Sequence, residues 1–66
     1  MTVLVNGTQH EVGVEETLAE LLERLGVQAR YALVERNGEP VERGRYAEVI
    51  LESGDELVVA RPVAGG

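Results

Sequence analysis

The 66-residue sequence contains no cysteine and no lysine, and its only histidine is His10. Without cysteine the chain can form no disulfide framework, no thiolate metal site and no cysteine nucleophile, and one histidine cannot build a histidine metal cluster. All six basic residues are arginines. Because the side chains offer neither an amine nor a thiol, we expect the α-amino group of Met1 to be the one amine available to an activated acyl group.

Long apolar runs and a basic leader are missing as well. The uninterrupted apolar stretches span only a few residues, whereas a membrane-spanning helix needs roughly 20. The first residues do not combine a basic region with an apolar region as a secretion signal does. We therefore expect a soluble cytoplasmic protein that makes no membrane contact.

Length and charge narrow the possible functions further. A chain this short forms one domain and buries only about 60% of the surface that it exposes when unfolded, which leaves little room for an internal active site. Twelve acidic residues against six basic ones give a net charge of −6. This surface repels phosphate backbones and attracts partners with basic docking surfaces. We expect a protein that binds no nucleic acid and is a monomer when free.

The first residues have the pattern of a β-hairpin. Residues 2–5 are β-branched and apolar, and a second strand-like stretch covers residues 9–12. The pair Asn6-Gly7 between them is typical of a two-residue hairpin turn. Alternation along the first strand puts Val3 and Val5 on one face of the sheet and Leu4 on the other.

A helix is predicted to begin after Thr17. Thr17 and Glu20 have the spacing of a capping box, in which each side chain bonds a free backbone amide of the other residue. Glu20 and Arg24 are four residues apart in the favourable order for an ion pair, and Gly26 supplies the stop. One apolar face follows from four leucines at helical spacing, which are Leu18, Leu21, Leu22 and Leu25.

The second half of the sequence alternates short apolar stretches with turns. We predict strands at residues 32–36, 49–51 and 56–60, a short extended piece from Pro40, and turns at residues 37–38, 44–47 and 53–55. The two faces of strand 32–36 cannot be assigned, because both carry apolar and charged residues. His10 is expected to be a strand-surface residue without a special role, and four acidic residues are expected to be solvated: Glu48, Glu52, Asp55 and Glu56.

Alternation also assigns the faces of the last strand. Leu57 and Val59 are predicted to point into the core, which leaves Val58 and Ala60 on the outer face. Leu4, on the neighbouring strand, is expected to join them. An exposed apolar patch on a small domain indicates a docking surface, so Leu4, Val58 and Ala60 form a candidate docking patch.

This order of elements predicts an α+β fold in two layers. One main helix packs across one face of a mixed sheet, and the first and last strands lie side by side and parallel, because the helix between them supplies the crossover. This is the β-grasp, or ubiquitin-like, arrangement. We assign residues 1–60 to the β-grasp domain and residues 61–66 to a flexible C-terminal tail.

The tail ends on Gly65-Gly66. Two residues without side chains make a thin segment that can enter a narrow channel, and Pro62 fixes its own φ and favours an extended Arg61. Residues 62–66 span about 17 Å when extended, at roughly 3.3 Å per residue. A thin arm that ends in a carboxylate suits a carrier whose end is activated by another enzyme. On this interpretation Gly66 is the reactive residue, Gly65 gives clearance, and the remaining tail residues meet the partner: Arg61, Pro62, Val63 and Ala64.

Three stretches resemble one known family. They are residues 17–22 at the helix opening, residues 34–37 together with 45–49, and the last strand from Gly54-Asp55 through the diglycine. Over essentially its whole length the chain resembles the ThiS family, the sulfur carriers of thiamin biosynthesis. The helix opening and the diglycine are shared with the small subunits of molybdopterin synthase, whereas residues 34–37 and 45–49 are more particular to the thiazole branch.

The resemblance implies a carrier and not an enzyme. An adenylyltransferase of the ThiF type would bind the carrier with ATP and Mg²⁺, and the Gly66 carboxylate would attack the α-phosphate. A persulfide donor would then convert the acyl-adenylate into a thiocarboxylate, whose sulfur passes to a thiazole synthase of the ThiG type. The carrier itself would bind no cofactor or metal. Three alternatives remain open: a molybdopterin synthase small subunit, a ubiquitin-like carrier or modifier for tRNA thiolation or protein conjugation, and a ubiquitin-like interaction domain whose diglycine is incidental.

Overall fold

The computed structural model describes residues 1–61, and Pro62 to Gly66 lie outside the described residues. The chain begins with the predicted hairpin. Strand β1 covers Thr2–Val5 and strand β2 covers Thr8–Glu11, paired antiparallel with Val5 opposite Thr8. Asn6 and Gly7 form the two-residue loop with φ values of 50° and 84°. Two positive φ values are what this tight turn requires, and they explain the choice of Asn-Gly.

Helix α1 covers Leu18–Arg24, and both of its ends follow the sequence prediction. The Thr17 hydroxyl accepts from the Glu20 N–H at 3.1 Å, and the Glu20 carboxylate accepts from the Thr17 N–H at 2.9 Å. At the other end the Gly26 N–H donates to the Glu23 carbonyl and the next N–H donates to the Leu22 carbonyl. This pattern is a Schellman motif, which needs the left-handed φ of 77° at Gly26.

The predicted ion pair between Glu20 and Arg24 is wrong. The Glu20 carboxylate is committed to the capping box, and the Arg24 guanidinium instead pairs with Glu16 at 2.8 Å and donates to the Glu11 carbonyl. The N–H of Gly13 and the Arg24 side chain hold the pKa of Glu16 below its ordinary value. Arg24 therefore ties the helix to the loop that precedes it.

The remaining strands complete one five-stranded sheet. They are β3 at Leu33–Arg36, β4 at Glu39–Pro40 and β5 at Glu56–Ala60. The strands lie in the order β2-β1-β5-β3-β4, with β5 parallel to β1 and antiparallel to β3. The first and last strands are thus adjacent and parallel at the centre of the sheet, as predicted, and the fold is the β-grasp.

The core lies between α1 and one face of the sheet. Val3 and Val5 from β1, with Leu57 from β5, meet the helix leucines there, and Leu18, Leu21 and Leu22 are fully buried. Val34 of β3 points into the same core, which assigns the faces that the sequence left open. Outside the sheet, the Tyr46 ring is buried and its hydroxyl donates to the Ala32 carbonyl at 2.8 Å.

The predicted strand at residues 49–51 is wrong. This segment forms a single bridge between Ile50 and Thr17, outside the five-stranded sheet. Leu51 is buried and Val49 packs against the core, but Ile50 is 51% exposed. The segment thus contributes to the core without gaining a partner strand. The remaining strand of the sheet is β4, which covers Glu39–Pro40 and overlaps the predicted extended piece only at Pro40, where that piece begins. No helix in residues 1–61 is long and apolar enough to cross a membrane.

Candidate functional site

The sheet has one face that α1 does not cover, and apolar side chains cluster on it. Leu4 of β1 and Val58 and Ala60 of β5 share this outer face, as the alternation predicted. Leu33 of β3 lies directly opposite Ala60 and joins them. Leu33 and Val58 are 59% and 53% exposed, whereas Leu4 is half-buried. We call these four residues the outer patch.

Leu33 is the member of the outer patch that sequence analysis missed. Strand β3 carries apolar and charged residues on both faces, so alternation alone did not orient it. Its pairing with β5 decides the matter, because Leu33 pairs with Ala60 and Val34 pairs with the inward-facing Val59. A shallow hollow of about 320 Å³ lies beside the patch, where Pro40 and Val41 meet β3 and β5.

Carboxylates flank the outer patch. Glu35 lies opposite Val58 on β3, and Glu56 lies opposite Leu4 at the start of β5. Both side chains are exposed. An apolar surface with acidic neighbours fits a partner that offers apolar side chains with arginine or lysine around them.

The outer patch leads directly to the predicted tail. Strand β5 ends at Ala60, and the exposed Arg61 follows as the last described residue. On the inner side Arg61 borders a hollow of about 290 Å³ that Val59 and the half-buried His10 also line. The predicted site residues Pro62, Val63, Ala64, Gly65 and Gly66 lie outside the described residues, so their roles stay predictions.

Asp55 is not the solvated residue that the sequence predicted. Its residue surface is only 6% exposed, and its carboxylate accepts from Arg36 Nε at 2.9 Å, Asn37 Nδ2 at 3.1 Å and the Glu52 N–H at 2.9 Å. Burial acts to raise the pKa of Asp55, but the hydrogen bonds from Glu52, Asn37 and Arg36 outweigh it and hold the pKa below its ordinary value. Asp55 therefore fixes the turn from which the tail-bearing strand starts.

Residues 1–61 bring together no group of three His, Cys, Asp or Glu side chains that could hold a metal. The described residues present an exposed apolar patch and a strand that leads to the predicted tail.

The sequence profile of the ThiS family matches residues 3–66. The chain belongs to the ThiS family. Family membership covers the whole described fold together with the predicted tail.

Individual relatives agree with this assignment. The sulfur carrier protein ThiS of Escherichia coli is 30% identical over the full length of both chains. The crystal structure of the thiamine biosynthesis protein ThiS from Geobacter metallireducens is 38% identical, covers both chains completely and superposes with a TM-score of 0.80. A thiazole synthase of Paramagnetospirillum magneticum is 36% identical over 66 residues, which are all of this chain but only 20% of the synthase. The chain thus spans about a fifth of that relative.

Proposed function

We propose that this protein is a sulfur carrier of thiamin biosynthesis whose Gly66 carboxyl group is converted to a thiocarboxylate. The observation that carries the proposal is the full-length match to ThiS proteins, including a sulfur carrier. The carrier supplies the carboxyl group and the docking surface, and its partners supply the catalytic groups.

The chemistry follows from the poor reactivity of a carboxylate. A ThiF-type adenylyltransferase with ATP and Mg²⁺ forms an acyl-adenylate at Gly66, with pyrophosphate as the leaving group. The outer sulfur of a persulfide donor then displaces AMP and forms an acyl disulfide. A thiol of a partner protein cleaves the S–S bond, which forms a new disulfide with the donor and releases the thiocarboxylate. Since adenylation turns the carboxyl oxygen into part of a good leaving group, the domain needs no nucleophile or base of its own.

A ThiG-type thiazole synthase is the proposed acceptor of the sulfur. This proposal is supported by a thiazole synthase that contains a segment similar to the whole of this chain. The outer patch is the proposed contact for the partners, because it is apolar, exposed and adjacent to the strand that leads to the tail. A partner that covers the patch can receive residues 62–66 in a recessed site, since they reach about 17 Å when extended.

Intact mass measurement tests the proposal. Incubation with the adenylyltransferase, ATP, Mg²⁺ and sulfide should add about 16 Da, which corresponds to replacement of one carboxyl oxygen by sulfur. A chain without Gly66 should gain nothing and keep its melting temperature, because the core lies before Arg61. Gly66→Ala keeps the length of the tail and adds one methyl group. Comparison with the truncated chain therefore separates the need for a tail of full length from the need for a terminal residue without a side chain.

Transfer from the loaded carrier then identifies the acceptor. The thiocarboxylate should disappear with thiazole synthase and its other substrates, and should persist with the large subunit of molybdopterin synthase. A wild-type chain that gains no mass, or a truncated chain that gains it equally, would overturn the assignment of Gly66.

A further inference from the structure

The side chain of Asn6 holds strand β5 close to its C-terminal end. The Val59 N–H donates to Asn6 Oδ1 at 2.8 Å, and Asn6 Nδ2 donates to the Val59 carbonyl at 3.0 Å. The Asn6 backbone N–H also donates to the Leu57 carbonyl at 2.9 Å. Asn6 thus bonds the backbone of β5 at Leu57 and at Val59, two residues whose backbone groups face the same side of the strand.

These bonds extend the sheet beyond the end of β1. Strand β1 stops at Val5, and the backbone turns away through Asn6 and Gly7 towards β2. A carboxamide offers one carbonyl acceptor and N–H donors, as a peptide group does. The Asn6 side chain therefore replaces the backbone that has left and continues the ladder between β1 and β5 by one pair.

Few residue types can both adopt the backbone conformation at position 6 and hydrogen-bond Val59 through the side chain. The φ of 50° lies in the left-handed region, which asparagine tolerates better than most residues. Glycine also tolerates this conformation but has no side chain to bond Val59. The bonded residue is Val59, and Arg61, where the predicted tail begins, lies two positions further along the chain.

We propose that Asn6 is a positioning residue that fixes the direction in which the tail leaves the domain. This inference rests on the proposed sulfur-carrier function. A tail that leaves from a firmly held strand end points its carboxyl group into a narrower range of directions when the outer patch is docked. A larger fraction of docked complexes is then productive, because less freedom has to be lost before reaction.

The chain contains a matched control in Asn37. It has a φ of 53°, precedes Gly38 with a φ of 87°, and its side chain also makes two hydrogen bonds. Asn37 Oδ1 accepts from the Glu56 N–H at 2.9 Å, and Nδ2 donates to Asp55 Oδ1 at 3.1 Å. The turn chemistry is the same, but these bonds hold the start of β5 instead of its end.

The experiment compares Asn6→Gly with Asn37→Gly in the full chain. Both variants keep the backbone conformation and lose two side-chain hydrogen bonds. Asn37→Gly should lose at least as much stability as Asn6→Gly, because one of its bonds is to the buried Asp55 carboxylate. For Asn6→Gly, amide exchange at Val59 should be roughly tenfold faster, and NMR relaxation should show a less ordered Arg61. Its kcat for thiocarboxylate formation should fall roughly 5- to 10-fold with KM within about twofold of wild type. Asn37→Gly should retain the wild-type kcat and the order of Arg61.

The split between kcat and KM separates positioning from stability. A variant that is merely less folded has a lower effective concentration, which raises KM and leaves kcat unchanged. A wild-type kcat in Asn6→Gly, or an equal fall of kcat in Asn37→Gly, would overturn the proposal. If the wild-type chain forms no thiocarboxylate at all, the sulfur-carrier function fails, and the NMR measurement still decides on Asn6. An unchanged Arg61 in Asn6→Gly then overturns its positioning role.

Discussion

The Arg36 guanidinium meets the Asp55 carboxylate at 2.9 Å, where the end of β3 lies beside the turn that begins β5. Arg36 also pairs with Glu52 at 3.2 Å, and Asn37 donates to the same Asp55 carboxylate. The Asp55 side chain is only 7% exposed, whereas that of Glu52 is 79% exposed. Water screens the pair with Glu52 strongly, so Asp55 is the partner that matters for stability.

Asp55→Asn should lower the free energy of unfolding by about 2 kcal/mol at neutral pH, because hydrogen bonds to a buried charge lose their charged acceptor. Urea unfolding measures this value. The control is Glu48→Gln, since the Glu48 side chain is 68% exposed and lies 3.8 Å from Arg45. That variant should stay within about 0.5 kcal/mol of wild type. Equal effects of the two substitutions would refute the assigned role of Asp55.

The same carboxylate predicts a dependence of stability on pH. The pKa of Asp55 is lower in the folded state than its ordinary value, so the unfolded chain binds more protons in acid. The contribution of Asp55 is therefore complete above about pH 4 and is lost as pH falls through the folded-state pKa. Acid titrations should show a smaller loss of stability in Asp55→Asn than in wild type. The pKa of Glu16 is also lowered, so Glu16 should account for part of the stability that Asp55→Asn still loses in acid.

Leu18→Asp should unfold the domain, because it places a charge at a position with no exposed surface in the core. Circular dichroism and a melting curve report the result. Val14→Asp provides the control just before the helix, since Val14 is 83% exposed and should accept the charge with little change in melting temperature. A cooperative, wild-type melting curve for Leu18→Asp would contradict the placement of α1 against the sheet.

On the proposed sulfur-carrier function, Val58→Arg should weaken docking of the proposed adenylyltransferase and leave the fold intact. The new guanidinium lies opposite Glu35 on the neighbouring strand, where an opposite charge is favourable. A central apolar contact is worth about 2 kcal/mol, so KM should rise roughly 30-fold. Ile50→Arg is the matched control, because Ile50 is 51% exposed against 53% for Val58 but lies outside the sheet. An equal rise in KM for both variants would exclude the outer patch as the specific docking surface.

Gly26→Ala should cost about 1–2 kcal/mol, since alanine has to adopt the left-handed φ of 77° that ends α1. No atom lies within 4 Å of the added methyl group, so the cost is conformational and not steric. Thermal melting should show a fall of roughly 5–15 °C for a domain of this size. Gly44→Ala adds a methyl group in open space at a residue without positive φ, and its melting temperature should stay close to wild type.

The elements that the sequence predicted correctly depend on neighbouring residues. The Asn-Gly turn, the capping box and the leucine stripe are each formed by residues that lie within a few positions of one another. Their patterns are therefore visible in the sequence. The outward direction of Val58 and Ala60 follows in the same way from simple alternation along β5. These features were sufficient to give the β-grasp fold and three members of the outer patch.

Most of the wrong or missing predictions depend on residues distant in sequence. The exception is the Glu20–Arg24 pair, because the Glu20 carboxylate is taken by the capping box with the nearby Thr17. Whether residues 49–51 form a strand depends on a partner strand, and Ile50 finds only Thr17. The burial of Asp55 depends on Arg36, 19 residues earlier. Asn6 was identified as a turn residue, but its bonds to Val59 span 53 positions. Such contacts leave no local pattern, so they became visible only when the strands were assembled.

The central place of β5 has a mechanical consequence. A partner that pulls on the tail applies force along β5, which is flanked by the parallel β1 on one side and the antiparallel β3 on the other. Hydrogen bonds between strands run across this direction, so they are loaded in shear and share the force. A pull on the C-terminal end of β5 therefore loads the sheet where rupture requires many bonds to break at once, and not along an edge that could be peeled away.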